Sequence, residues 1–282
     1  MPTLQQAKQK IGHALTRDER ESFADNGFLV VRQLFRADEI AELRETFMAQ
    51  TIDGPVPNLS EINPKYRSDD PLAFYPRMMH PHRHPHLPVG PLSMRLMLDR
   101  RVGAILHDLF GEEAAAAQSM FYFKPAGARG QALHQDNFYL RVQPGTCMAA
   151  WTAVDDADEE NGTLIVVPGS HLGDVVCPDR ADTTSSFTGD FVAVPPGLQE
   201  KVVVLQAGDV LFFNGSVIHG SYPNRSLDRF RRAFICHYVP AGSREVSRWY
   251  RPLYRFDGAE VAIAEAAGGG PCGLPDETST LH

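Results

Sequence analysis

The sequence predicts a mainly β protein, a sandwich or barrel of short strands that follows a helical N-terminal part. Short apolar or alternating runs recur from about residue 117, and Gly, Pro, Asp and Asn separate them, as is typical of an all-β domain. The runs are SMFYFKP, HQDNFYLRV, CMAAWTAV, GTLIVVPGS, KVVVLQ, DVLFFNGS and RRAFICHYVP. With 282 residues, 43% of them hydrophobic, the chain is long enough to bury one large core.

The first 50 residues predict two helices with one strand between them. Thr16 and Glu19 have the spacing of a capping box, and Gly27 supplies the stop of the short helix that they begin. The apolar run Phe28–Val31 predicts a strand, and a second helix is predicted from Asp38. The buried face of this second helix is predicted to carry Ile40, Leu43 and Phe47.

Residues 53–91 are rich in proline and histidine and show no sustained period, so they predict a long irregular segment. Within this segment, His80–His86 contains four histidines, and its prolines favour extended backbone. Three interpretations of the histidine run stay open: a solvated loop, the mouth of an active site, or a second metal site. Residues 92–116 are predicted to be helical again.

These patterns predict a single domain over residues 1–265 and a flexible tail over 266–282. The parts of the domain are helical support (1–116), a β core (117–240) and a C-terminal segment (241–265). The polar insertion 172–200 is a candidate lid. Residues 243–256 mix arginines with aromatic residues, which predicts either a cover over a pocket or an amphipathic surface helix.

The composition disfavours several classes of partner. A formal net charge of −8 argues against nucleic acid and against an anionic membrane surface, and no apolar run is long enough for a membrane span. The N-terminus lacks the apolar region of a secretion signal. The four cysteines lie far apart without a C-x-x-C pair, which favours reduced thiols in a cytoplasmic protein. A small molecule is the expected substrate, and the oligomeric state cannot be read from the sequence.

The pair His134 and Asp136 is the most informative feature of the chain. On a strand, positions i and i+2 point to the same face, so one imidazole and one carboxylate would reach into the same space. His219 lies 85 residues further on, after a predicted buried strand. If the strands 131–142 and 209–219 lie side by side, these three residues form a 2-His-1-carboxylate triad, which holds Fe(II) and leaves coordination positions open.

Several arginines follow His219, and a guanidinium is the expected partner for a carboxylate co-substrate beside an iron. Strand alternation allows only one of Arg231 and Arg232 to face the interior. Alternation also places Phe138 on the ligand side of the metal motif, where it and Asn137 are candidates for substrate contact.

Over roughly residues 17–240, the chain resembles the phytanoyl-CoA dioxygenase family of Fe(II)- and 2-oxoglutarate-dependent oxygenases. The motifs that carry the resemblance are Phe23-Ala24-Asp25-Asn26-Gly27-Phe28, His134-Gln135-Asp136, Glu160-Asn161-Gly162-Thr163-Leu164, Pro168-Gly169-Ser170-His171, His219-Gly220-Ser221 and Phe230-Arg231-Arg232-Ala233. The segment Gln118–Lys124 is most similar to the phytanoyl-CoA dioxygenase domain-containing proteins.

The resemblance implies a double-stranded β-helix (a cupin-like jelly roll) with Fe(II), 2-oxoglutarate and O2 as cofactor and co-substrates. It implies that His134, Asp136 and His219 bind the iron, with no catalytic side chain beyond these ligands. The implied residues of the co-substrate pocket are Arg231, Ser221, Met120, Trp151 and Arg77. The stretch between His219 and the anchoring arginine is one residue longer than in many relatives, so Arg229 stays an alternative to Arg231.

The function implied is a dioxygenase that oxidises a C–H bond of a small molecule and releases succinate and CO2. Related halogenases replace the ligand carboxylate with a small residue so that halide can bind, and Asp136 therefore favours hydroxylation or another oxidation. Two alternatives stay open: a non-catalytic relative that binds metal or ligand, and an iron oxygenase that does not use 2-oxoglutarate.

Overall fold

A computed structural model describes residues 14–62, 69–266 and 272 of the chain, which form two main β-sheets with helices on the outside. The helices are α1 (Arg17–Asn26), α2 (Ala37–Ala49), α3 (Pro71–Phe74), α4 (Val89–Met97), α5 (Arg100–Phe110) and α6 (Asn137–Leu140). Within the described residues, three short 3-10 helices occupy Pro81–Arg83, Ser170–Leu172 and Arg248–Tyr250.

The strands of the described residues are β1 (Phe28–Val31), β2 (Met78–Met79), β3 (Ala114–Tyr122), β4 (Gln131–His134), β5 (Met148–Ala153), β6 (Leu164–Val166), β7 (Asp179–Arg180), β8 (Asp190–Phe191), β9 (Lys201–Val202), β10 (Val210–Asn214), β11 (His219–Ser221), β12 (Ala233–Pro240), β13 (Glu245–Val246), β14 (Leu253–Tyr254), β15 (Glu260–Val261) and β16 (Ala264–Glu265). The large sheet has the order β1-β10-β5-β12-β3-β14-β15, with β2 beside β3, and the second sheet has the order β4-β11-β6-β9. Consecutive strands alternate between the two sheets from β4 to β6 and again from β10 to β12. This alternation confirms the predicted double-stranded β-helix.

Apolar side chains from both sheets meet between them. Trp151 and Leu211 of the large sheet pack in one buried cluster with Leu164 and Val166 of the second sheet. Burial of such side chains is the main stabilising term for a sandwich of this kind. This interior also reaches the candidate site, because the side chain of Trp151 lines its cavity.

The N-terminal helices cover the outer face of the large sheet. Thr16 caps α1 with the predicted capping box, and Gly27 ends the helix in the left-handed conformation, so both predictions are confirmed. The predicted strand is β1, which pairs with β10. Phe47 of α2 is fully buried and its ring stacks on Phe121 of β3, with 4.0 Å between the ring centroids. Ile40 and Leu43 of α2 are buried as predicted.

The predicted helix over residues 92–116 is wrong at its C-terminal end. Asp99 caps a separate helix, α5, which ends at Phe110, and β3 begins at Ala114. The run Ala114–Ala117 is buried in the sheet. Alanine has a high helix propensity, but strand pairing with β12 and burial override it here.

The prediction of an irregular segment over residues 53–91 is only partly right, because it contains α3, β2 and the start of α4. The histidine run forms a 3-10 turn instead of an extended segment, and His80 has a φ of 50°. His80 and His82 are buried, and the Nδ1 of His82 lies 2.7 Å from the Oγ of Ser119. The described residues therefore place two of these histidines in the protein interior, against β3.

The prediction of four reduced cysteines is wrong for two of them. Cys177 and Cys272 form a disulfide, with 5.2 Å between their Cα atoms, whereas Cys147 and Cys236 are free and buried. A separation of 95 residues in sequence gives no sign of this proximity, which only the fold produces. The rest of the tail predicted to be flexible, apart from residue 266, lies outside the described residues.

Residues 243–256 do not form the surface helix that was one of the two interpretations. They contain β13, the turn Arg248–Tyr250 and β14, and Tyr250 and Leu253 are buried in a cluster with Leu140 of α6. Among the described residues, no helix combines the length and the apolar character needed to cross a bilayer.

Candidate active site

Strand pairing brings the two candidate histidines together. His219 is the first residue of β11 and His134 is the last residue of β4, and their Cα atoms are direct partners in the antiparallel ladder. Their ring centroids lie 4.1 Å apart. Segments 131–142 and 209–219 are therefore neighbours, as predicted. Strand β11 makes the contact with β4, whereas β10 pairs with β1 and β5.

Asp136 reaches the same point by a different route from the predicted one. Strand β4 ends at His134, and Asp136 has α-helical backbone angles at the start of α6. Strand alternation does not explain the pairing, because the chain turns immediately after the strand. The Oδ1 of Asp136 nevertheless lies 3.6 Å from the Nε2 atoms of His134 and His219.

Backbone contacts fix the tautomer of both histidines. The Nδ1 of His134 lies 2.8 Å from the carbonyl oxygen of Ala132, and the Nδ1 of His219 lies 3.0 Å from that of Val217. A carbonyl can only accept a hydrogen bond, so each Nδ1 carries the proton and each Nε2 presents its lone pair. Two imidazole lone pairs and one carboxylate oxygen therefore converge, and the three ligand atoms lie within 4.8 Å of one another.

Burial and mutual contact set the charges of this triad. All three side chains are at most 4% exposed. Burial, together with the neighbouring His134, lowers the pKa of His219 to about 4, so its imidazole is neutral at neutral pH. Burial acts to raise the pKa of Asp136, but His219 and His237 outweigh it and hold the pKa well below its usual range. The triad thus presents a charged carboxylate at Asp136 beside a neutral imidazole at His219.

His237 of β12 is a buried partner of Asp136 that the sequence analysis missed. Its Nε2 lies 2.9 Å from the Oδ2 of Asp136, and its Nδ1 lies 2.9 Å from the side-chain amide oxygen of Gln118. A carboxylate only accepts, so the His237 Nε2 donates to Asp136. The strand period of β12 places the side chain of His237 on the same face as Ile235, which also lines the cavity.

The triad opens into a cavity between the two sheets. Four of the residues predicted for the co-substrate pocket line it: Met120, Trp151, Ser221 and Arg231. Arg231 is 3% exposed, and its guanidinium carbon lies 5.2 Å from the Trp151 ring. Its Nε donates to the carbonyl oxygen of Gly162 at 3.0 Å, whereas its buried Nη1 has no hydrogen-bond partner among the described residues.

The other arginines are placed elsewhere. Arg229 lies at the surface, where it pairs with Asp158 and Glu160. Arg232 pairs with Asp155. Of these three arginines, Arg231 alone lines the cavity.

Arg77 lies in an adjoining cavity, which shares Tyr122 and Arg231 with the first. Its guanidinium forms an ion pair with Glu61 and donates to the hydroxyl of Tyr122 at 2.7 Å. Arg77 is therefore close to the candidate co-substrate pocket, but these contacts direct it to Glu61 and Tyr122.

Lys124 is a second buried cation that the sequence analysis missed as a site residue. Its Nζ donates to the Oγ of Ser221 at 2.8 Å and to the carbonyl oxygen of Gly162 at 3.1 Å, and it also contacts the carbonyl oxygen of Tyr222. Burial, with Arg231 beside it, lowers its pKa well below the usual range. A lysine followed by proline near the end of a strand gave no signal that it would be buried.

The prediction that Phe138 and Asn137 face the substrate loses its basis. Both residues lie in α6 and not in a strand, so alternation from His134 does not apply to them. The ring of Phe138 lies 5.0 Å from that of Tyr139, centroid to centroid, and the side-chain oxygen of Asn137 accepts from the backbone nitrogen of Val142. Neither residue lines the cavity of the triad.

The candidate lid is attached to the metal motif through the residue between its two ligands. The side-chain amide of Gln135 donates to the carbonyl oxygen of Asp174 at 3.3 Å and accepts from the backbone nitrogen of Val176 at 3.0 Å. Further along the insertion, Asp190 accepts from the hydroxyl of Tyr139 at 2.6 Å. The insertion 172–200 therefore packs against the triad side of the sandwich.

The chain is similar to known proteins over most of its length. The family model for phytanoyl-CoA dioxygenase (PhyH) matches residues 23–233, about three quarters of the chain. Among curated proteins, "Phytanoyl-CoA dioxygenase 1" of Oryza sativa subsp. japonica is 26% identical over 266 residues, which cover 83% of this chain and 92% of that protein.

Two solved structures share the fold. The epimerase SnoN, in complex with Fe3+, alpha ketoglutarate and nogalamycin RO, superimposes with a TM-score of 0.65 at 22% identity, over 90% of this chain and 96% of that one. EctD from S. alaskensis, with 2-oxoglutarate and 5-hydroxyectoine, superimposes with a TM-score of 0.64 at 20% identity, over 85% and 81% of the two chains.

Proposed function

The chain belongs to the phytanoyl-CoA dioxygenase family, and we propose from this premise that it is an Fe(II)- and 2-oxoglutarate-dependent dioxygenase that oxidises a C–H bond of a small molecule. The observation that carries the proposal is a single cavity that holds both a complete 2-His-1-carboxylate triad and a buried arginine with an unpartnered nitrogen. The first suits the iron and the second suits a carboxylate.

The triad fits Fe(II) on the chemistry of its donors. His134, Asp136 and His219 supply two imidazole nitrogens and one carboxylate oxygen, the donor set of non-haem iron oxygenases. The backbone carbonyls of Ala132 and Val217 hold both rings in the tautomer that leaves Nε2 available. These three residues would hold the iron, and their side chains occupy three positions and leave the others open.

The cavity also fits 2-oxoglutarate. The unpartnered Nη1 of Arg231 is buried beside Trp151, and an anion is the partner that satisfies it. Ser221 accepts hydrogen bonds from Lys124 and from the backbone nitrogen of Gln131, so its own hydroxyl proton is available for a carboxylate oxygen. Arg231 and Ser221 would therefore hold the distal carboxylate, with Met120 and Trp151 along the carbon chain.

The chain's own contribution is orientation and exclusion of water. The Oδ2 of Asp136 is occupied by His237, which leaves Oδ1 directed at the metal position. Apolar side chains such as Leu164, Phe213 and Ile235 line the cavity beside the triad. Iron with 2-oxoglutarate and O2 supplies the oxidising chemistry, in which the substrate gains one oxygen atom while the co-substrate becomes succinate and CO2.

Retention of Asp136 supports oxidation of a C–H bond over halogenation, because a carboxylate takes the position that halide would need. The ligands named for the two solved structures, nogalamycin RO and 5-hydroxyectoine, are small molecules of different classes. They support a small-molecule substrate for this chain and do not select its class.

The direct test is succinate release from 2-oxoglutarate by the purified protein with Fe(II) and ascorbate, screened over candidate small molecules. The expected result is slow release without a substrate and faster release with the right one. The matched control is Asp136→Ala, which is expected to lose both metal binding and turnover. If metal-loaded wild-type protein neither binds 2-oxoglutarate nor releases succinate, the proposal is wrong.

A further inference from the structure

Lys124 is connected to both residues that would hold the distal carboxylate of 2-oxoglutarate. Its Nζ donates to the Oγ of Ser221 at 2.8 Å, and its backbone carbonyl accepts from the backbone nitrogen of Arg231 at 3.0 Å. The side chain and the main chain of one residue thus contact the serine and the arginine of the same pocket.

A shared acceptor strengthens this connection. The carbonyl oxygen of Gly162 accepts from the Nε of Arg231 at 3.0 Å and from the Nζ of Lys124 at 3.1 Å. Gly162 itself has a φ of 84°, and a Cβ on it would lie 2.6 Å from the carbonyl oxygen of Tyr222, so a larger residue does not fit this position. The Arg231 guanidinium and the Lys124 ammonium are therefore held against the same backbone oxygen.

The backbone of Lys124 is held in an uncommon conformation. Its φ of 37° lies in the left-handed region, which a residue with a long side chain rarely adopts. The side-chain amide of Asn224 donates to the Lys124 carbonyl oxygen at 3.1 Å, next to the bond from Arg231. These contacts direct the side chain of Lys124 inward, where it is 3% exposed.

The described residues offer neither cation a carboxylate. Arg231 donates to a carbonyl, and Lys124 contacts two carbonyls and a hydroxyl. Two buried basic groups without an acidic partner are costly in an empty protein and favour an anionic ligand. Burial and the proximity of Arg231 lower the pKa of Lys124, which is the response expected of a basic group that lacks a counter-charge.

We propose that Lys124 is a positioning residue for recognition of the distal carboxylate of 2-oxoglutarate, because it orients Ser221 and Arg231 toward that group. This role rests on the proposed function. It goes beyond that function because it makes Lys124, which does not line the cavity of the triad, a cause of the preference for a dicarboxylic co-substrate. Lys124 lines the adjoining cavity and not the cavity of the triad, so it acts through its two neighbours.

The test compares two keto acids on the Co(II)-loaded protein by calorimetric titration. 2-Oxoglutarate carries the distal carboxylate, and 2-oxopentanoate has the same keto-acid end with a methyl group in its place. Lys124→Met is expected to weaken 2-oxoglutarate binding by about 10- to 100-fold, the range for hydrogen bonds to charged groups. Binding of 2-oxopentanoate is expected to change by less than about threefold, because this keto acid lacks the carboxylate that Ser221 and Arg231 would hold.

Lys124→Gln, which keeps an N–H donor and loses the charge, provides a second variant in case the methionine variant does not fold. Lys201→Met is the matched control, since Lys201 is exposed and lies outside both cavities. Unchanged Co(II) affinity identifies the variants whose triad is intact. In the succinate assay, the KM for 2-oxoglutarate is expected to rise more than kcat falls.

Two results would overturn the inference: a folded Lys124 variant that binds 2-oxoglutarate as the wild type does, or one that loses both keto acids equally. If the wild-type protein itself binds no 2-oxoglutarate, the proposed function fails, and the inference fails with it. Wild-type binding with an unaffected variant refutes only the role of Lys124.

Discussion

The Nε2 of His237 donates to the Oδ2 of Asp136 at 2.9 Å, and this contact assigns different roles to the two oxygens of one carboxylate. The Oδ1 faces the histidines of the triad at 3.6 Å, whereas Oδ2 is bound to β12. A ligand carboxylate anchored in this way keeps one orientation before the metal arrives. His237 is thus part of the metal centre although it does not contribute a ligand atom.

His237→Phe is expected to weaken metal binding by about 10- to 100-fold, the usual effect of removing a hydrogen bond to a metal ligand. Titration of the apo-protein with Co(II), followed by its visible absorption, measures this affinity independently of turnover. His86→Phe is the control, because His86 is exposed and does not line the cavity of the triad. Equal Co(II) affinity in His237→Phe and wild type would show that Asp136 does not need this partner.

Arg231 and Arg229 form a matched pair, because one is buried in the cavity and the other pairs with surface carboxylates. Arg231→Met is expected to raise the KM for 2-oxoglutarate by about 100-fold or more, since the charged, bidentate partner of a carboxylate is lost. Arg229→Met is expected to change it by less than about threefold. Succinate release at varied 2-oxoglutarate concentrations measures both, and the reverse ranking would identify Arg229 as the anchor.

Burial of His82 is expected to make the protein less stable in mild acid. It is 3% exposed, and burial, followed by the charges of Arg83 and His84, lowers its pKa to about 3. In the unfolded chain, a histidine has a pKa of about 6.5, so below that pH the unfolded state binds a proton that the folded state rejects. The free energy of unfolding should therefore fall as the pH drops from about 6.5 toward 3, by up to about 1.4 kcal/mol per pH unit from this residue.

His80 is also buried with a lowered pKa and acts in the same direction, so the variant is compared with the wild type. Urea unfolding at pH 7.5 and pH 5 measures how much the free energy of unfolding changes with pH in each protein. His82→Gln is expected to show the weaker pH dependence, while the exposed His86→Gln keeps that of the wild type. A His82→Gln protein with the wild-type pH dependence would contradict the assignment.

Substitutions at Phe47 and Phe74 measure how much packing of a helix against the large sheet contributes to the free energy of unfolding. Phe47 is fully buried and stacks on Phe121, whereas Phe74 is 69% exposed. Phe47→Ala is expected to reduce the free energy of unfolding by about 3–5 kcal/mol, because it leaves a cavity between α2 and β3. Phe74→Ala should cost less than about 1 kcal/mol. Similar losses for both variants, measured by urea unfolding, would refute this view of the core.

Patterns of short range predicted the N-terminal elements well. The capping box at Thr16, the glycine at position 27 and the apolar face of α2 each depend on residues three or four apart, so the local sequence contains their cause. The same reasoning failed at Ala114–Ala117, where small side chains carry no period and the surrounding strands decide the conformation.

In the candidate site too, some features have local causes in the sequence and others depend on distant contacts. His134, Asp136 and His219 could be chosen from residue type and spacing, whereas strand alternation left open which of Arg231 and Arg232 faces the interior. The route that brings Asp136 to the histidines was predicted wrongly, because the turn after His134 depends on contacts such as the bond from the Asn137 backbone nitrogen to the carbonyl oxygen of Gly215. No local pattern contains a contact across that separation.

The sequence by itself determined the fold class, the ligand chemistry and the family of this protein, because strand periodicity and the types of donor atom are properties of short segments. Only the tertiary structure decided that His237 supports Asp136, that Lys124 lies behind Ser221, and that Cys177 meets Cys272. Each of these pairs joins residues about 95 to 101 positions apart. Such proximity is set by which strands become neighbours in the two sheets, and the register of that pairing belongs to the whole chain.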